Sequence, residues 1–238
     1  INDGAFSGCT GLESVTIPPT VQDIGEFAFQ SCYVLKNVNF TNPSLSMIGT
    51  CSFQNCRALE KINIPDTVSE IGAGAFEDCR RLNNVVIPNS VKKLGSGVCD
   101  GCTKLETVTM PGDIGVIKIN PRKDYITGLF YLKGDYVSSQ PLKKVKFTTA
   151  LNTDILPRVG ACENYEISQK DSRFKSIDGM IYTKDGKTLV RIPLGRKKAV
   201  ISDKCTTVSM GSYSHELIDF SHKFLSEIVF PKSVSSVI

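Results

Sequence analysis

A pattern of about 23 residues repeats along the first half of the chain. Three successive copies, which start at Ile24, Ile48 and Ile71, read IGEFAFQSCYVLKNVNF, IGTCSFQNCRALEKINI and IGAGAFEDCRRLNNVVI. Self-similarity at a fixed period of this length is typical of a solenoid, in which each unit is one coil that buries its apolar side only by stacking on its neighbours. The positions that recur are therefore expected to be the buried ones.

A phenylalanine and a cysteine recur at the same place in each copy. The phenylalanines are Phe6, Phe29, Phe53 and Phe76, and the cysteines are Cys9, Cys32, Cys56, Cys79 and Cys102. We expect both sets to stack in the core, with the cysteines as small apolar thiols. A disulfide is the alternative, but cysteine side chains in a ladder run parallel into the core, and an odd number of them cannot pair completely.

Each copy also predicts its own local structure. Val15 and Ile17 lie two residues apart, as on one side of a short strand, and Pro18 ends that strand because proline has no N–H to donate. Ala-Phe-x-x-Cys-x-x-Leu places apolar residues three or four apart, which favours one to two helical turns. The glycine before it, such as Gly72, is expected to permit a bend. Stacked coils would give a parallel sheet with strands about 4.8 Å apart.

The segment IGAGAFEDCRRLNNVVIPNSV, residues 71–91, carries the whole motif and resembles the BspA-like, Treponema pallidum-type leucine-rich repeat. Five such units cover residues 1–111. The resemblance implies an α/β repeat fold: a right-handed leucine-rich-repeat solenoid with short parallel strands on the concave face and short helical turns opposite. It also implies a place outside the cell or on a bacterial surface, with a host or matrix protein as partner.

We expect one leucine-rich-repeat domain over residues 1–238, regular at 1–111 and irregular, with expanded and compressed units, at 112–173. Pro141–Phe147 and Tyr165–Ile167 are expected strands of that irregular part. The repeats are expected to resume over 194–238. No signal-peptide pattern opens the chain, which we expect to be a piece of a longer protein, and no apolar run reaches the roughly 18 residues of a membrane span.

A β-hairpin insertion is expected in the C-terminal half, within a small β-meander over residues 174–193. Asp-Gly pairs at 178–179 and 185–186 lie between alternating apolar runs, the strongest short signal for a hairpin. The expected strands are Phe174–Ile177, Met180–Tyr182 and Thr188–Ile192.

Positive charge is concentrated in the second half. The net charge is +4, with −3 over residues 1–111 and +7 over residues 112–238. The basic runs are Lys143-Lys144-x-Lys146 and Arg196-Lys197-Lys198. Binding of a polyanion or a sulfated glycan is one interpretation, and an ordinary solvated surface is the simpler one. No nucleic-acid motif accompanies these runs, so no nucleic acid partner is expected.

The sequence contains little that indicates catalysis or metal binding. Cys99-x-x-Cys102 could indicate redox or zinc chemistry, but Cys102 belongs to the cysteine ladder, Cys99 replaces the phenylalanine, and no second C-x-x-C completes a zinc site. His215 and His222 are seven residues apart, unlike the H-E-x-x-H motif. A Ser-His-Asp triad is not recognisable from sequence, because its members are distant in the chain. We therefore expect no enzyme activity, cofactor or metal.

The residue between Val and Ile of each L-x-x-V-x-I strand should point away from the core, because side chains alternate along a strand. The candidate partner-binding residues are Asn39, Asn63, Val86, Thr109 and Lys146 of this column, with Lys144 beside them. The sequence therefore predicts a non-enzymatic module of a secreted or cell-surface protein that binds a macromolecule through this surface. The alternatives are a structural spacer, whose column is filled only for solubility, and polyanion or glycan binding by the basic half.

Overall fold

The computed structural model describes residues 1–41, 44–117, 142–159, 161–209 and 224–237. Within these ranges, β-strands and one 3-10 helix, Thr153–Arg158, are the regular elements. The strands of residues 1–117 are β1 Ser14–Ile17, β2 Asp23–Ile24, β3 Asn37–Phe40, β4 Met47–Ile48, β5 Glu70–Ile71, β6 Asn84–Val86, β7 Lys93–Gly95, β8 Thr107–Met110 and β9 Gly115–Ile117. The later strands are β10 Lys144–Phe147, β11 Tyr165–Glu166, β12 Phe174–Ile177, β13 Met180–Thr183, β14 Thr188–Arg191, β15 Lys198–Val200, β16 Thr207–Val208, β17 Glu227–Val229 and β18 Ser236–Val237.

Most coils of the repeat contribute two short strands, one on each of two lines of parallel strand pairing. The L-x-x-V-x-I segments form the pair β1-β3 and the four-stranded sheet β11-β10-β8-β6. The segments that end at the repeated Ile-Gly form a five-stranded sheet, β2-β4-β5-β7-β9. The register follows the repeat, since Ile48 lies opposite both Ile24 and Ile71. The fixed repeat length therefore sets the strand register.

The prediction of helical turns between the repeated glycine and the ladder cysteine is wrong. No α-helix occurs among the described residues, and this segment is a tight turn whose alternate N–H groups donate to the next coil. The bonds at the phenylalanine position are Phe6 N to Ala28 O (2.7 Å), Phe29 N to Ser52 O (2.7 Å), Phe53 N to Ala75 O (2.8 Å) and Phe76 N to Val98 O (2.8 Å). An N–H group that bonds the next coil is not available for the i to i−4 bond of an α-helix.

The recurring aromatic and thiol side chains form two continuous stacks. Ring centroids are 5.2 Å apart for Phe6–Phe29 and Phe29–Phe53, and 5.7 Å apart for Phe53–Phe76. The ladder thiols donate to the phenylalanine carbonyl of the preceding coil, from Cys32 Sγ to Phe6 O at 3.2 Å through Cys102 Sγ to Phe76 O at 3.1 Å. All nine cysteines lie in the described ranges, and none forms a disulfide.

The repeated glycines are needed for close packing between coils. A Cβ atom on Gly72 would lie 2.4 Å from the backbone nitrogen of Thr50, and one on Gly95 would lie 2.2 Å from that of Ala73. Neither glycine has a positive φ. The glycines are therefore explained by sterics and not by a bend. Any larger residue at these positions would push two coils apart.

Coils 1 to 5 begin at Ile1, Ile24, Ile48, Ile71 and Leu94, and coil 3 departs from its neighbours on one face. Its L-x-x-V-x-I segment, Glu60–Ile64, is not a strand. Within the described part of these coils, no backbone hydrogen bond joins that segment to β3 or β6. Phe40 and Ile64 beside this gap are half-buried, whereas the equivalent Ile87 is 1% exposed. The other two lines of inter-coil bonds continue through coil 3, for example from Phe53 N to Ala75 O at 2.8 Å and from Gly72 N to Ile48 O at 2.8 Å.

The C-terminal half contains an antiparallel meander that leads back into parallel pairing. β12 pairs antiparallel with β13, and β13 pairs antiparallel with β14. The first turn contains Asp178 and Gly179 with φ of 47° and 69°, as a two-residue hairpin loop requires. β14 then pairs parallel with β16, and β16 with β18, while β15 pairs parallel with β17.

A buried carboxylate joins the 3-10 helix region to the meander. Asp171 is 1% exposed and accepts hydrogen bonds from the N–H groups of Leu151 (2.7 Å), Arg173 (2.7 Å) and Phe174 (2.9 Å). Burial alone would raise the pKa of Asp171, but these three donors and the Arg173 charge outweigh it, so its pKa is lowered. The ionised form therefore stabilises this junction.

Candidate binding surface

The outward side of the L-x-x-V-x-I strands, which we call the ladder face, contains the six candidate residues. Thr109 lies opposite Val86 on one side and Lys146 on the other, so these three are neighbours on successive strands. Lys144 lies on the same strand as Lys146. Asn39 lies opposite Thr16, and Asn63 lies in the gap of coil 3. The structure thus brings four of the six candidates together, with Asn63 in the gap and Asn39 on its far side.

Exposed β-branched apolar residues occupy the ladder-face position in three coils. Val86 is 53% exposed and Val200 is 48% exposed, while Val229 is 40% exposed on a strand whose neighbouring Ile228 is also exposed, by 36%. Val200 and Val229 lie directly opposite each other on β15 and β17. The sequence analysis did not identify Val200 and Val229 as candidates. Aligning Ile201 with Ile17 in the repeat places Val200 at the position of Thr16, so the signal was present. The ladder face therefore presents apolar surface as well as small polar groups.

The lysines of the ladder face are paired with a carboxylate that sequence reasoning also missed. Glu166 on β11 lies opposite Lys146, at 2.7 Å from its Nζ, and 3.2 Å from the Nζ of Lys144. The hydrogen bond from Lys146 is the main reason why the pKa of Glu166 is lowered. The predicted strand at 165–167 could have indicated this ion pair, because aligning it with the strand at 141–147 places Glu166 beside Lys146. These two lysines are thus not an open anion site.

Three other residues of the two basic runs are paired in the same way. Lys143 lies 2.7 Å from Glu106, Lys198 lies 2.7 Å from Glu227, and Arg196 lies 2.6 Å from Asp178. An incoming anion would have to displace these carboxylates. The geometry therefore does not favour polyanion binding by the basic runs.

A broad polar hollow of about 730 Å³ lies at one edge of the ladder face. Its lining residues are Asn83, Asn84, Thr103, Lys104, Leu105, Glu106, Thr107, Lys143 and Glu163. Leu105 is the one apolar member of this lining. Amide, hydroxyl and charged side chains predominate in this lining, so the hollow can exchange hydrogen bonds with a polar surface.

The residues considered for metal or redox chemistry are either buried or outside the described ranges. Cys99 and Cys102 are both fully buried, and burial raises the pKa of the Cys99 thiol. His215 and His222 lie outside the described residues. In the part of the chain that the structure describes, no group of three or more His, Cys, Asp or Glu side chains is arranged to hold a metal ion. The same part contains no helix long and apolar enough to cross a membrane.

A known family of repeat proteins matches the first half of the chain. The BspA type leucine-rich repeat region matches residues 1–121 in six copies. This is just over half of the chain. The chain belongs to the BspA-type leucine-rich repeat family. No curated protein matched the chain.

Solved structures of bacterial leucine-rich repeat proteins resemble this BspA-type chain. A leucine-rich cell surface protein of Faecalibacterium prausnitzii is 26% identical with a TM-score of 0.57, over 100% of this chain and 60% of that one. The pneumococcal vaccine antigen PcpA is 19% identical with a TM-score of 0.52, over 94% and 52%. The T. pallidum leucine-rich repeat protein is 28% identical with a TM-score of 0.49, over 63% and 65%. The chain thus spans about half to two thirds of these proteins.

Proposed function

We propose that this chain is a non-enzymatic binding module of a secreted or cell-surface bacterial protein, which recognises a protein partner of the host or its matrix through the ladder face. The observation that carries the proposal is the regular column of outward side chains, in which Val86, Thr109 and Lys146 lie on adjacent strands. A repeated strand surface is broad and suits a macromolecule better than a small molecule. The surface location is supported by the likeness to the F. prausnitzii cell surface protein.

The proposal includes the overall shape that the family resemblance implies. The coils would form a right-handed curved solenoid over residues 1–238, with the ladder face on its concave side and the meander of 174–193 as an insertion between repeats. A concave ladder face would surround a convex partner from several coils at once.

Exposed apolar residues favour protein binding over a purely structural spacer. Val86, Val200 and Val229 expose apolar surface at the same position of the repeat. A spacer needs only soluble side chains there, whereas the centre of a protein interface needs apolar contact with little buried charge. Glu166 pairs with both Lys144 and Lys146, so burying the three groups together would bury one net positive charge rather than two.

The proposal is tested with the double variant Asn63→Arg, Val86→Arg. Both positions are exposed, so the melting temperature should change by no more than a few degrees, while two added charges on the ladder face should block a partner. The measurement is binding of purified chain to an array of immobilised matrix and cell-surface proteins. The control Thr20→Arg, Gln22→Arg adds the same charge at exposed positions off the ladder face.

We expect every protein that binds the wild-type chain to bind the double variant at least about 10-fold more weakly. Its affinity for the control variant should not change. Equal binding of wild type and double variant would refute the ladder face as the site. Absence of binding to every protein of the array would favour the spacer.

A further inference from the structure

A second surface lies beside the ladder face, at the two positions that follow each ladder cysteine. Its notable members, which we call the side stripe, are Tyr33, Val34, Arg57, Arg80, Arg81 and Lys104. All six side chains are exposed, and they come from four successive coils. Tyr33 and Val34 are exposed by 40% and 37% although both are large and apolar.

The side stripe concentrates positive charge in the acidic half of the chain. Residues 1–111 contain 8 Lys and Arg against 11 Asp and Glu. Four of those eight cations, including all three arginines, occupy the ten positions that follow the ladder cysteines, and no acidic residue does. A random distribution would place about one cation in ten such positions, so this stripe is enriched several-fold.

The stripe cations are weakly held by the protein itself. The nearest contact of Arg80 with Asp78 is 3.4 Å, and that of Arg81 with Glu60 is 3.5 Å. The ion pairs of the basic half are shorter, at 2.6 to 2.7 Å in the tightest cases. In the described ranges no carboxylate lies within ion-pair distance of Arg57 or Lys104. The guanidinium of Arg57 instead lies 4.8 Å from the centre of the Tyr33 ring and donates a long hydrogen bond to Asn55 Oδ1 at 3.5 Å.

The spacing of the stripe residues is set by the coils. Equivalent positions recur once per coil, and the stacked rings are 5.2 Å apart for Phe29–Phe53 and 5.7 Å apart for Phe53–Phe76. Tyr33, Arg57 and Arg80 therefore form a straight row with a step of one coil. Acidic side chains on one side of an extended peptide repeat at about 6.6 Å, roughly 1 Å longer than this step. A pyranose residue in an extended glycan is closer to one coil in length, so one sugar residue can face each coil.

We propose that the side stripe binds an anionic polysaccharide, a glycan chain with carboxylate or sulfate groups, laid along the stack of coils. Arg57, Arg80 and Arg81 would each bind an anionic group through the paired N–H groups of the guanidinium. Lys104 extends the row as a point charge. Tyr33 and Val34 pack against the C–H faces of the sugar at one end of the row. The stripe adjoins the ladder face at Lys104, which also lines the polar hollow, but its other five members lie outside that hollow.

The test measures binding of four probes to the wild-type chain: an oligogalacturonate for carboxylate groups, a dextran sulfate oligomer for sulfate groups, neutral dextran, and poly-glutamate. The stripe variant is Arg57→Gln, Arg80→Gln, Arg81→Gln. The matched control is Lys36→Gln, Lys92→Gln, Lys93→Gln, which removes the same charge from exposed sites outside the stripe. Exposed ion pairs add little to stability, so both triple variants should remain folded.

At least one anionic glycan should bind the wild-type chain more tightly than poly-glutamate, and the stripe variant should lose at least about 100-fold in affinity for it. The control variant should change by less than about 3-fold, and the salt dependence should flatten only in the stripe variant. Tyr33→Ala should weaken glycan binding with the salt dependence unchanged. The glycan that binds shows whether carboxylate or sulfate is recognised.

Three results would overturn the proposal. Absence of binding to both anionic glycans at low salt would show that the stripe is solvated surface. Equal losses in the stripe and control variants would show that only net charge is sensed. Tighter binding of poly-glutamate than of either glycan would assign the stripe to an acidic protein segment.

Discussion

Replacing Ser52 by alanine is expected to stabilise the chain. Ser52 occupies the alanine position of coil 3, between Ala28 and Ala75, and all three are 0% exposed. Its hydroxyl oxygen is fully buried and has no hydrogen-bond partner. The hydroxyl therefore loses its bonds to water on folding and gains none in return.

The size of the effect follows from two opposing contributions. Burying a hydroxyl without a partner costs about 1–3 kcal/mol in proteins. Removing it leaves a void of about one oxygen atom, which costs a few tenths of a kcal/mol at about 24 cal/mol per Å³. The expected net gain in the free energy of unfolding is about 1 kcal/mol, or a rise of about 2–4 °C in melting temperature for a chain of this length.

The measurement is the urea midpoint and the melting temperature, with Ser176→Ala as the matched control. Ser176 Oγ donates to the carbonyl of Tyr165 at 2.9 Å and accepts from the N–H of Ile167 at 2.9 Å. The same substitution there should destabilise by about 1–2 kcal/mol, because it leaves two backbone groups unpaired. A loss of stability in Ser52→Ala equal to that of the control would refute the reasoning.

Three further effects are expected in the same assays. Phe53→Ala should lower the free energy of unfolding by about 3–5 kcal/mol. Phe6→Ala should lower it clearly less, because Phe6 is 42% exposed and stacks on only one ring among the described residues. Equal losses would contradict the stacked arrangement. Gly95→Ala should cost roughly 3 kcal/mol because its Cβ would meet backbone, whereas Gly11→Ala, with open space around it, should be neutral or slightly stabilising. Asp171→Asn should cost about 1.5–3 kcal/mol at pH 7. Because the folded-state pKa of Asp171 is lowered, the wild-type advantage is present above the unfolded value of about 3.9 and should shrink as pH falls below it, as urea midpoints from pH 7 to pH 3 would show.

The sequence predicted the core and the strand register because a fixed repeat length determines both. Phe29, Phe53 and Phe76 had to stack once equivalent positions were superposed, and the stacked rings confirm it. The predicted meander strands and the observed ones differ by one residue at the ends of β13 and β14. Strands of this kind are readable because Asp-Gly turns and two-residue alternation are local signals.

The errors arose where pairing between coils overrides local pattern. Apolar residues three or four apart suit a helical turn, but they equally suit a tight turn that sends every second N–H to the next coil. The ion pairs of Glu166 were not predicted, because they depend on which strand lies beside it, and that strand, β10, is twenty residues earlier in the chain. The gap at Glu60–Ile64 was also unpredictable, since LEKINI fits the repeat as well as LNNVVI does.

The gap of coil 3 has a mechanical consequence. Coil 3 is tied to its neighbours by two lines of backbone hydrogen bonds, whereas coils 4 and 5 are tied by three. A stack of repeats has a stability close to the sum of its coil and interface terms, so its weakest interface decides where it divides. Under tension or partial denaturation, the stack should divide at one of the two interfaces of coil 3. The amides of Lys61 and Asn63 should exchange with solvent well before the equivalent amides of coil 5.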